Sequence, residues 1–251
     1  QAMDIKVASP SIIRSILART MPSMSPAGPD KLMVTGTFDQ PYACANYRVS
    51  GAEVRTRVPV GMWRSVGNSI NGHFHELFID EIAAKSGKDP VAMRIAMLKD
   101  FPWAVKVVEK AAEMSGWGTA AAPGTAKGFA FCHSFGSWVA EVIQVSGSID
   151  AIKIDKVWIA ADLGTVLDPG IVEAQLTSGV IFGLSAAMMQ EITFKDGGAV
   201  QQSFPDFDAM RIHQAPEFEV ALLENAPWMG GAGEIGTPPA APALANAIFA
   251  L

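Results

Sequence analysis

The fold of this chain is decided by three stretches: GFAFCH at residues 128–133, WVAEVIQVS at 138–146 and IKIDKVWIA at 152–160. Each is short and rich in β-branched and aromatic residues, and the third alternates apolar with charged side chains, which is typical of strands. Residues 217–223 alternate in the same way, and Asp196-Gly197 between two short runs is typical of a hairpin turn. The second half of the chain is therefore predicted to form a sheet.

Helical patterns lie on both sides of these strands. An apolar stripe spaced three and four apart, with Glu76 off the stripe, predicts an amphipathic helix that ends at Gly87. The residues of this stripe are Phe74, Leu77, Phe78 and Ile82. Caps and glycine stops predict further helices at 91–98, at 102–115, from 169 to about 190, and from Thr237 onward. The helix that follows Asp168 is apolar on nearly every side, which predicts that it is buried.

This order of elements predicts an α+β fold with two layers, in which mostly antiparallel sheets pack against helices. At 251 residues the chain is long enough for one large domain or two modest ones. We expect two subdomains: residues 1–125, an α+β unit with a helical hairpin region, and 126–251, an α+β unit that carries the Glu234 loop.

Composition excludes several classes of partner. Nineteen basic against 25 acidic side chains give a net charge of −6 without a basic run, which argues against nucleic acid. The longest uncharged runs have 17 residues, fewer than the roughly 20 that a membrane span needs. The chain opens on Gln1 and stops in an apolar run, so we expect it to be part of a longer subunit. The sequence does not distinguish the cytoplasm from the periplasm.

A glycine-rich loop near the end of the chain holds one carboxylate, Glu234. The glycines are Gly230, Gly231, Gly233 and Gly236. They let the backbone approach a ligand closely, and the helix that follows directs unpaired N–H groups to the same place. This position suits a carboxylate that acts as a base. The alternative is that Glu234 only pairs with loop amides or a neighbouring arginine.

Two further polar residues are candidates for ligand binding. Arg64 lies in GMWRSVG at 61–67, and its planar guanidinium suits a phosphate or a carboxylate; a structural arginine that bridges loop carbonyls is the alternative. Gln175 interrupts an apolar helix. If it is buried, its amide must find partners, either in a heterocycle or in a neighbouring loop.

The histidines suggest a rival function, a His-dependent metal hydrolase. His73 and His75 form H-x-H-E with Glu76, but a metal site needs three or four converging ligands. On a helix the two histidines lie about 200° apart, so they chelate together only if the helix starts after them. The two cysteines lack the spacing of zinc or iron–sulfur sites. We assign no residue as a metal ligand.

A set of motifs that follow one another in order is more specific than any of these. The motifs are VPVGMWRSVG at 58–67, ELFIDEIA at 76–83, GKDP at 87–90 and GEIGTPP at 233–239. Together they resemble the C-terminal part of the molybdopterin-binding large subunit of the xanthine dehydrogenase and aldehyde oxidase superfamily, in the branch of the isoquinoline 1-oxidoreductase beta subunit. The resemblance implies a molybdenum-dependent hydroxylase that oxidises an N-heterocyclic aromatic compound or an aldehyde with oxygen from water.

The resemblance also implies roles for single residues. Glu234 corresponds to the catalytic glutamate, the base that takes a proton from the water-derived oxygen before it attacks an electron-poor carbon. Val66 lies where relatives of the eukaryotic type place an aromatic residue that stacks on substrate; valine cannot stack, so we expect a different substrate clamp. Four residues correspond to cofactor-binding positions: Arg64, Gly67, Gln175 and Gly233.

The implied cofactor is molybdopterin in its cytosine dinucleotide form. The M-G-Q-G and G-G-S-T-S loops that hold it from the other side in this branch are absent from the sequence. We therefore expect an N-terminal segment outside these residues to share the cofactor, and the chain alone to bind little molybdenum and to be inactive. Electrons are expected to leave through a small [2Fe-2S] subunit to a cytochrome or another acceptor. The alternative on the same fold is a non-catalytic paralogue or an assembly module.

Overall fold

The computed structural model describes residues 2–24, 26 and 28–251. Its helices are α1 Ile12–Thr20, α2 Gly67–Lys85, α3 Pro90–Met97, α4 Pro102–Ser115, α5 Pro169–Met188 and α6 Ala240–Ala250. Its strands are β1 Ala2–Ser9, β2 Asn46–Glu53, β3 Thr125–Ser134, β4 Ser137–Ser148, β5 Ala151–Asp162, β6 Phe194–Lys195, β7 Gly198–Ala199 and β8 Glu217–Leu223. Each helix and strand predicted from the sequence has a counterpart, and most differences are shifts of the ends.

The main sheet has the strand order β3-β4-β5-β8. Two antiparallel pairs, β3 with β4 and β4 with β5, are followed by β8, which lies parallel to β5 from Lys156↔Glu217 to Asp162↔Leu223. The predicted hairpin joins β6 to β7, with Asp196 at φ 51° and Gly197 at φ 82°. Strands β1 and β2 form a separate parallel pair. The α+β class with mostly antiparallel strand pairs is confirmed.

Helices cover both faces of the main sheet. Because strand side chains alternate between faces, Val139 and Ile143 pack with α5 and α6 in one core, whereas Phe129 and Val142 pack with α4 in the other. The expected two layers are therefore three. The core on the α4 side takes side chains from both halves of the chain, and the division at residue 125 stays a prediction.

Helix α2 presents a different face to the core from the one predicted. It begins at Gly67 rather than near Phe74, and Phe74 and Phe78 of the predicted stripe are 64% and 46% exposed. Glu76, placed off the stripe, is 1% exposed. The apolar spacing alone therefore gave the wrong buried face.

The buried face of α2 is fixed by a polar network around Glu76. Its carboxylate accepts hydrogen bonds from Tyr42 Oη at 2.8 Å, Arg94 Nε at 3.0 Å and the Phe131 N–H at 2.7 Å. Arg94, which is 0% exposed, also donates to Asp80 at 2.6 Å. A buried ion pair is tolerated only when its hydrogen bonds are completed in this way, and completing them sets the rotation of the helix.

Helix α5 has 20 residues, and an 18-residue stretch of it has a mean hydropathy of 1.4, enough by length and composition to cross a membrane. The expectation that this helix is buried is wrong for most of that stretch, of which 39% is buried. Other backbone packs close against one side of the helix: a Cβ on Gly179 would lie 3.1 Å from the Gly236 carbonyl carbon, and one on Gly183 3.0 Å from the Thr237 carbonyl oxygen. One side of α5 is therefore packed against the loop that precedes α6.

Candidate functional site

The loop that ends at the start of α2 has an unusual backbone. Ser65 at φ 71° and Val66 at φ 52° both adopt left-handed conformations, which are uncommon for residues other than glycine. Gly67 follows in close contact with another loop: a Cβ there would lie 2.2 Å from Leu32 O and 2.4 Å from Thr35 Oγ1. These contacts fix the backbone of the loop and therefore the direction in which the side chains of Arg64 and Ser65 point.

Arg64 joins this loop to α5 and to the glycine-rich loop. Its guanidinium donates to the Gly233 carbonyl at 2.5 Å, to Gln175 Oε1 at 3.0 Å and to Ser178 Oγ at 3.1 Å. The guanidinium also lies 5.7 Å from the centre of the Phe182 ring. Arg64 and Gln175, which lie 111 positions apart, therefore meet in one cluster.

Glu234 is anchored by the residue next to Arg64. Its Oε2 accepts the Ser65 backbone N–H at 3.2 Å, and its own carbonyl accepts the Ser65 hydroxyl at 2.8 Å. The same carbonyl accepts the Thr237 N–H at 3.1 Å in a turn before α6, which begins at Ala240 rather than at Thr237. Oε1 makes no hydrogen bond to the described part of the chain. One oxygen of a half-buried carboxylate is thus held, and the other is available.

Two residues of this cluster were not predicted, Ser65 and Ser178. Ser65 is fully buried in the strained turn, and Ser178 lies one helical turn after Gln175 on α5. The sequence indicates these two serines only through their positions relative to the candidate residues. A serine that is adjacent to a candidate, or one helical turn away from it, can reach the same partner. Gln175 is exposed, so the condition that its whole amide must find partners does not apply. Of its side-chain amide, the oxygen alone is hydrogen-bonded within residues 2–24, 26 and 28–251.

The other candidate residues have separate surroundings. Gly233 is exposed, and a Cβ on it would meet open space, whereas its carbonyl is occupied by the Arg64 guanidinium. Val66 and Gly67 line a cleft between β1 and α2, together with Ile70 and Phe74. The structure therefore brings Arg64, Gln175, Gly233 and Glu234 together. Val66 instead lines the cleft between β1 and α2, outside this cluster.

The structure argues against the alternative of a His-dependent metal hydrolase. Helix α2 starts before His73 and His75, so the two side chains lie on different faces of one helix. His75 is buried and stacks on the Tyr42 ring with centroids 5.5 Å apart. Within the described ranges, no group of three His, Cys, Asp or Glu side chains could hold a metal ion.

Arg64, Gln175 and Glu234 fit one wall of a polar cofactor site. Gln175 is exposed and its amide nitrogen makes no hydrogen bond within the described ranges, and Glu234 Oε1 likewise makes none there. Such a set suits a heterocycle with an attached phosphate, which needs amide and guanidinium donors. Arg64 and Gln175 are therefore the candidates for holding molybdopterin here.

Comparison with known proteins identifies the family of this chain. Residues 71–216 match the family model of the molybdopterin cofactor-binding domain. The chain is 34% identical over 205 residues to the beta subunit of isoquinoline 1-oxidoreductase from Brevundimonas diminuta, covering 80% of this chain and 26% of that protein. It is 29% identical over 231 residues to a nicotinate dehydrogenase subunit of Pseudomonas putida, covering 83% and 19%.

The fold has counterparts among solved structures. The aldehyde oxidoreductase of Desulfovibrio gigas superposes with a TM-score of 0.69 at 13% identity, over 98% of this chain and 44% of that one. The chain thus spans about a quarter or less of the length of the two curated relatives. It belongs to the molybdopterin cofactor-binding domain family, a part of xanthine dehydrogenase-type large subunits.

Proposed function

We propose that this chain supplies the base-bearing wall of a molybdenum hydroxylase, which oxidises an N-heterocyclic aromatic compound with oxygen from water. The observation that carries the proposal is the anchoring of Glu234 by Ser65 directly beside the Arg64–Gln175 pair. A carboxylate held at one oxygen and free at the other is oriented for proton transfer. Bound molybdopterin would supply the redox-active molybdenum.

Each residue of the cluster has a distinct task in this proposal. Glu234 takes a proton at Oε1 from the water-derived nucleophile, while the Ser65 N–H holds Oε2 in place. Arg64 positions the Glu234 loop through the Gly233 carbonyl and orients the Gln175 amide through its oxygen. The amide nitrogen of Gln175 is then free to donate to the cofactor.

The names of the relatives favour a heterocyclic substrate. Isoquinoline and nicotinate each contain a ring nitrogen, which withdraws electrons from the neighbouring carbon and prepares it for nucleophilic attack. Because Val66 cannot stack on a ring, the proposed enzyme positions this substrate with other side chains. An aldehyde is the second substrate class, with the same electron-poor carbon.

The test uses the complete enzyme, purified with its partner subunits and a dye as electron acceptor. Isoquinoline, nicotinate and benzaldehyde are supplied in oxygen-18-labelled water, and the products are analysed by mass spectrometry. We expect one labelled oxygen in the product of a heterocycle. Labelled product from benzaldehyde alone would overturn the substrate class, and a molybdenum-loaded enzyme that oxidises none of the three would support the non-catalytic alternative.

Partners and cofactor form belong to the same proposal. We expect a small [2Fe-2S] subunit to receive the electrons, a cytochrome or another acceptor to follow it, and an N-terminal segment to complete the cofactor site. The cytosine dinucleotide form predicts that acid hydrolysis of the complete enzyme releases cytidine monophosphate. Release of guanosine monophosphate, or of no nucleotide, would contradict that form. The isolated 251 residues are expected to retain little molybdenum, which metal analysis checks.

A further inference from the structure

The parallel pair of β1 and β2 is incomplete as a sheet, because two strands alone are marginally stable and parallel strands are normally part of larger sheets. The Val54 N–H donates to the Ser9 carbonyl at 3.1 Å, so Ser9 faces β2. A strand residue directs its N–H and C=O to one side, and the next residue directs them to the other. Asp4, Lys6 and Ala8 therefore direct theirs away from β2, where β1 pairs with no other strand of the described ranges.

A cleft runs along this free edge. It consists of two adjoining cavities of about 350 and 230 Å³ that share Lys6, Val7 and Phe74 in their linings. The first touches four consecutive residues of β1, 4–7, and the second touches 6–9. Since successive side chains point to opposite faces, a cavity that touches consecutive residues lies against the strand edge. The cleft is thus open to the unpaired backbone groups.

The opposite wall of the cleft is the outer face of α2. Ile70, Phe74 and Phe78 are 61%, 64% and 46% exposed there, a run of large apolar side chains that soluble surfaces rarely leave uncovered. At the base lies His75, which is 3% exposed and lines the first cavity. Its Nε2 has no hydrogen-bond partner in the described ranges, although buried polar atoms are normally satisfied.

We infer that this cleft receives an extended strand, which pairs with the free edge of β1 as the third strand of its sheet. The added strand would satisfy the backbone groups of Asp4, Lys6 and Ala8, as in other cases of strand addition. Its side chains on one face would cover Phe74 and Phe78, and a polar atom from it would reach His75 Nε2. Small molecules cannot satisfy a row of strand N–H and C=O groups in this way.

The occupant is a segment of the same molybdenum subunit that lies outside the 251 residues. The two curated relatives are about four to five times longer than the parts that match, since the chain covers 26% and 19% of them. Most of such a subunit therefore has no counterpart in this chain and is available for the cleft. This inference needs only family membership and is independent of the role of Glu234.

The first test measures backbone hydrogen exchange of the complete enzyme at single-residue resolution. If the edge is paired, the amides of Asp4, Lys6 and Ala8 exchange as slowly as those of Ile5 and Val7, which face β2. If Asp4, Lys6 and Ala8 exchange at unprotected rates while Ile5 and Val7 are protected, the inference is wrong. Turnover plays no part in this measurement.

The second test identifies the occupant. Lys6 is replaced by the photocrosslinker p-benzoylphenylalanine in the complete enzyme, and the cross-linked peptide is identified by mass spectrometry. We expect a peptide of the same subunit from outside the 251 residues. Lys153, a solvent-exposed residue on β5 with its side chain 78% exposed, is the matched control and should not yield that peptide. A crosslink to a second copy of this chain, to another subunit or to nothing would overturn the inference.

Discussion

Arg64 is the residue on which the geometry of the candidate site depends. One guanidinium bonds the Gly233 carbonyl, Gln175 and Ser178, so it joins two segments that are far apart in sequence. We predict that Arg64→Ala lowers stability by about 1–3 kcal/mol, the usual loss when hydrogen bonds to a charged group are removed. For a chain of this size the melting temperature should fall by about 2–4 °C per kcal/mol.

The complete enzyme with Arg64→Ala should also contain less molybdenum, because the Gln175 amide loses its fixed orientation. The matched control is Arg211→Ala, which removes an exposed ion pair to Asp208 and should change neither quantity by much. Calorimetry and metal analysis of both variants check the prediction. Normal metal content in Arg64→Ala would show that Arg64 does not position the cofactor wall.

A second prediction concerns Glu141, a fully buried residue on β4 with no hydrogen bond to either carboxylate oxygen in the described ranges. Burial raises the pKa of Glu141 well above its ordinary value of 4.5. The folded state therefore keeps a proton that the unfolded state loses, and stability falls by up to about 1.4 kcal/mol per pH unit as pH rises above the ordinary value.

Glu141→Gln should remove this slope. Chemical denaturation at about pH 5 and pH 8 is the measurement, and the variant should lose less stability between the two than the wild type. Glu109→Gln, a change at an exposed position on α4, should leave the slope unchanged. An equal slope in wild type and Glu141→Gln would show that the carboxyl is not held neutral.

At the scale of the elements, capping signals predicted the boundaries of two helices well. Helices α3 and α4 begin and end almost where the sequence places them, because Asp89 caps the first through the Ala92 N–H and Gly116 ends the second in a left-handed conformation. The buried face of α2 could not be predicted, since Arg94 and Tyr42 come from other segments. Periodicity reports apolar side chains, and here a polar network decides the orientation.

The same network gives a prediction for α2. Burial alone would raise the pKa of Glu76, but the Arg94 charge and the hydrogen bonds it accepts hold that pKa below its ordinary value. Glu76→Gln leaves the Arg94 charge buried without its main partner, so we expect a loss on the order of 3 kcal/mol. Denaturant titration measures it, with Glu81→Gln at an exposed position of the same helix as the control. A loss equal to that of the control would mean that the network does not stabilise the helix.

At the scale of the whole molecule, three layers bring the site together. The Arg64 loop precedes α2, Gln175 lies on α5, and Glu234 precedes α6. Residue patterns alone indicated each candidate residue. They did not predict that the candidates lie close together, because long-range packing leaves no local signal in the sequence. Only the resemblance to a family linked them, and it did not predict that Ser65 anchors Glu234 or that Gln175 is exposed.

The proposed role of Glu234 as the base of a molybdenum site is tested most directly by turnover of Glu234→Gln in the complete enzyme, with the molybdenum content measured on the same sample. The amide keeps the size of the side chain but cannot accept the proton. We predict that kcat falls by roughly 100-fold or more while the metal content stays at the wild-type level. Glu109→Gln should retain full activity. Full turnover of Glu234→Gln at normal metal content would contradict the account.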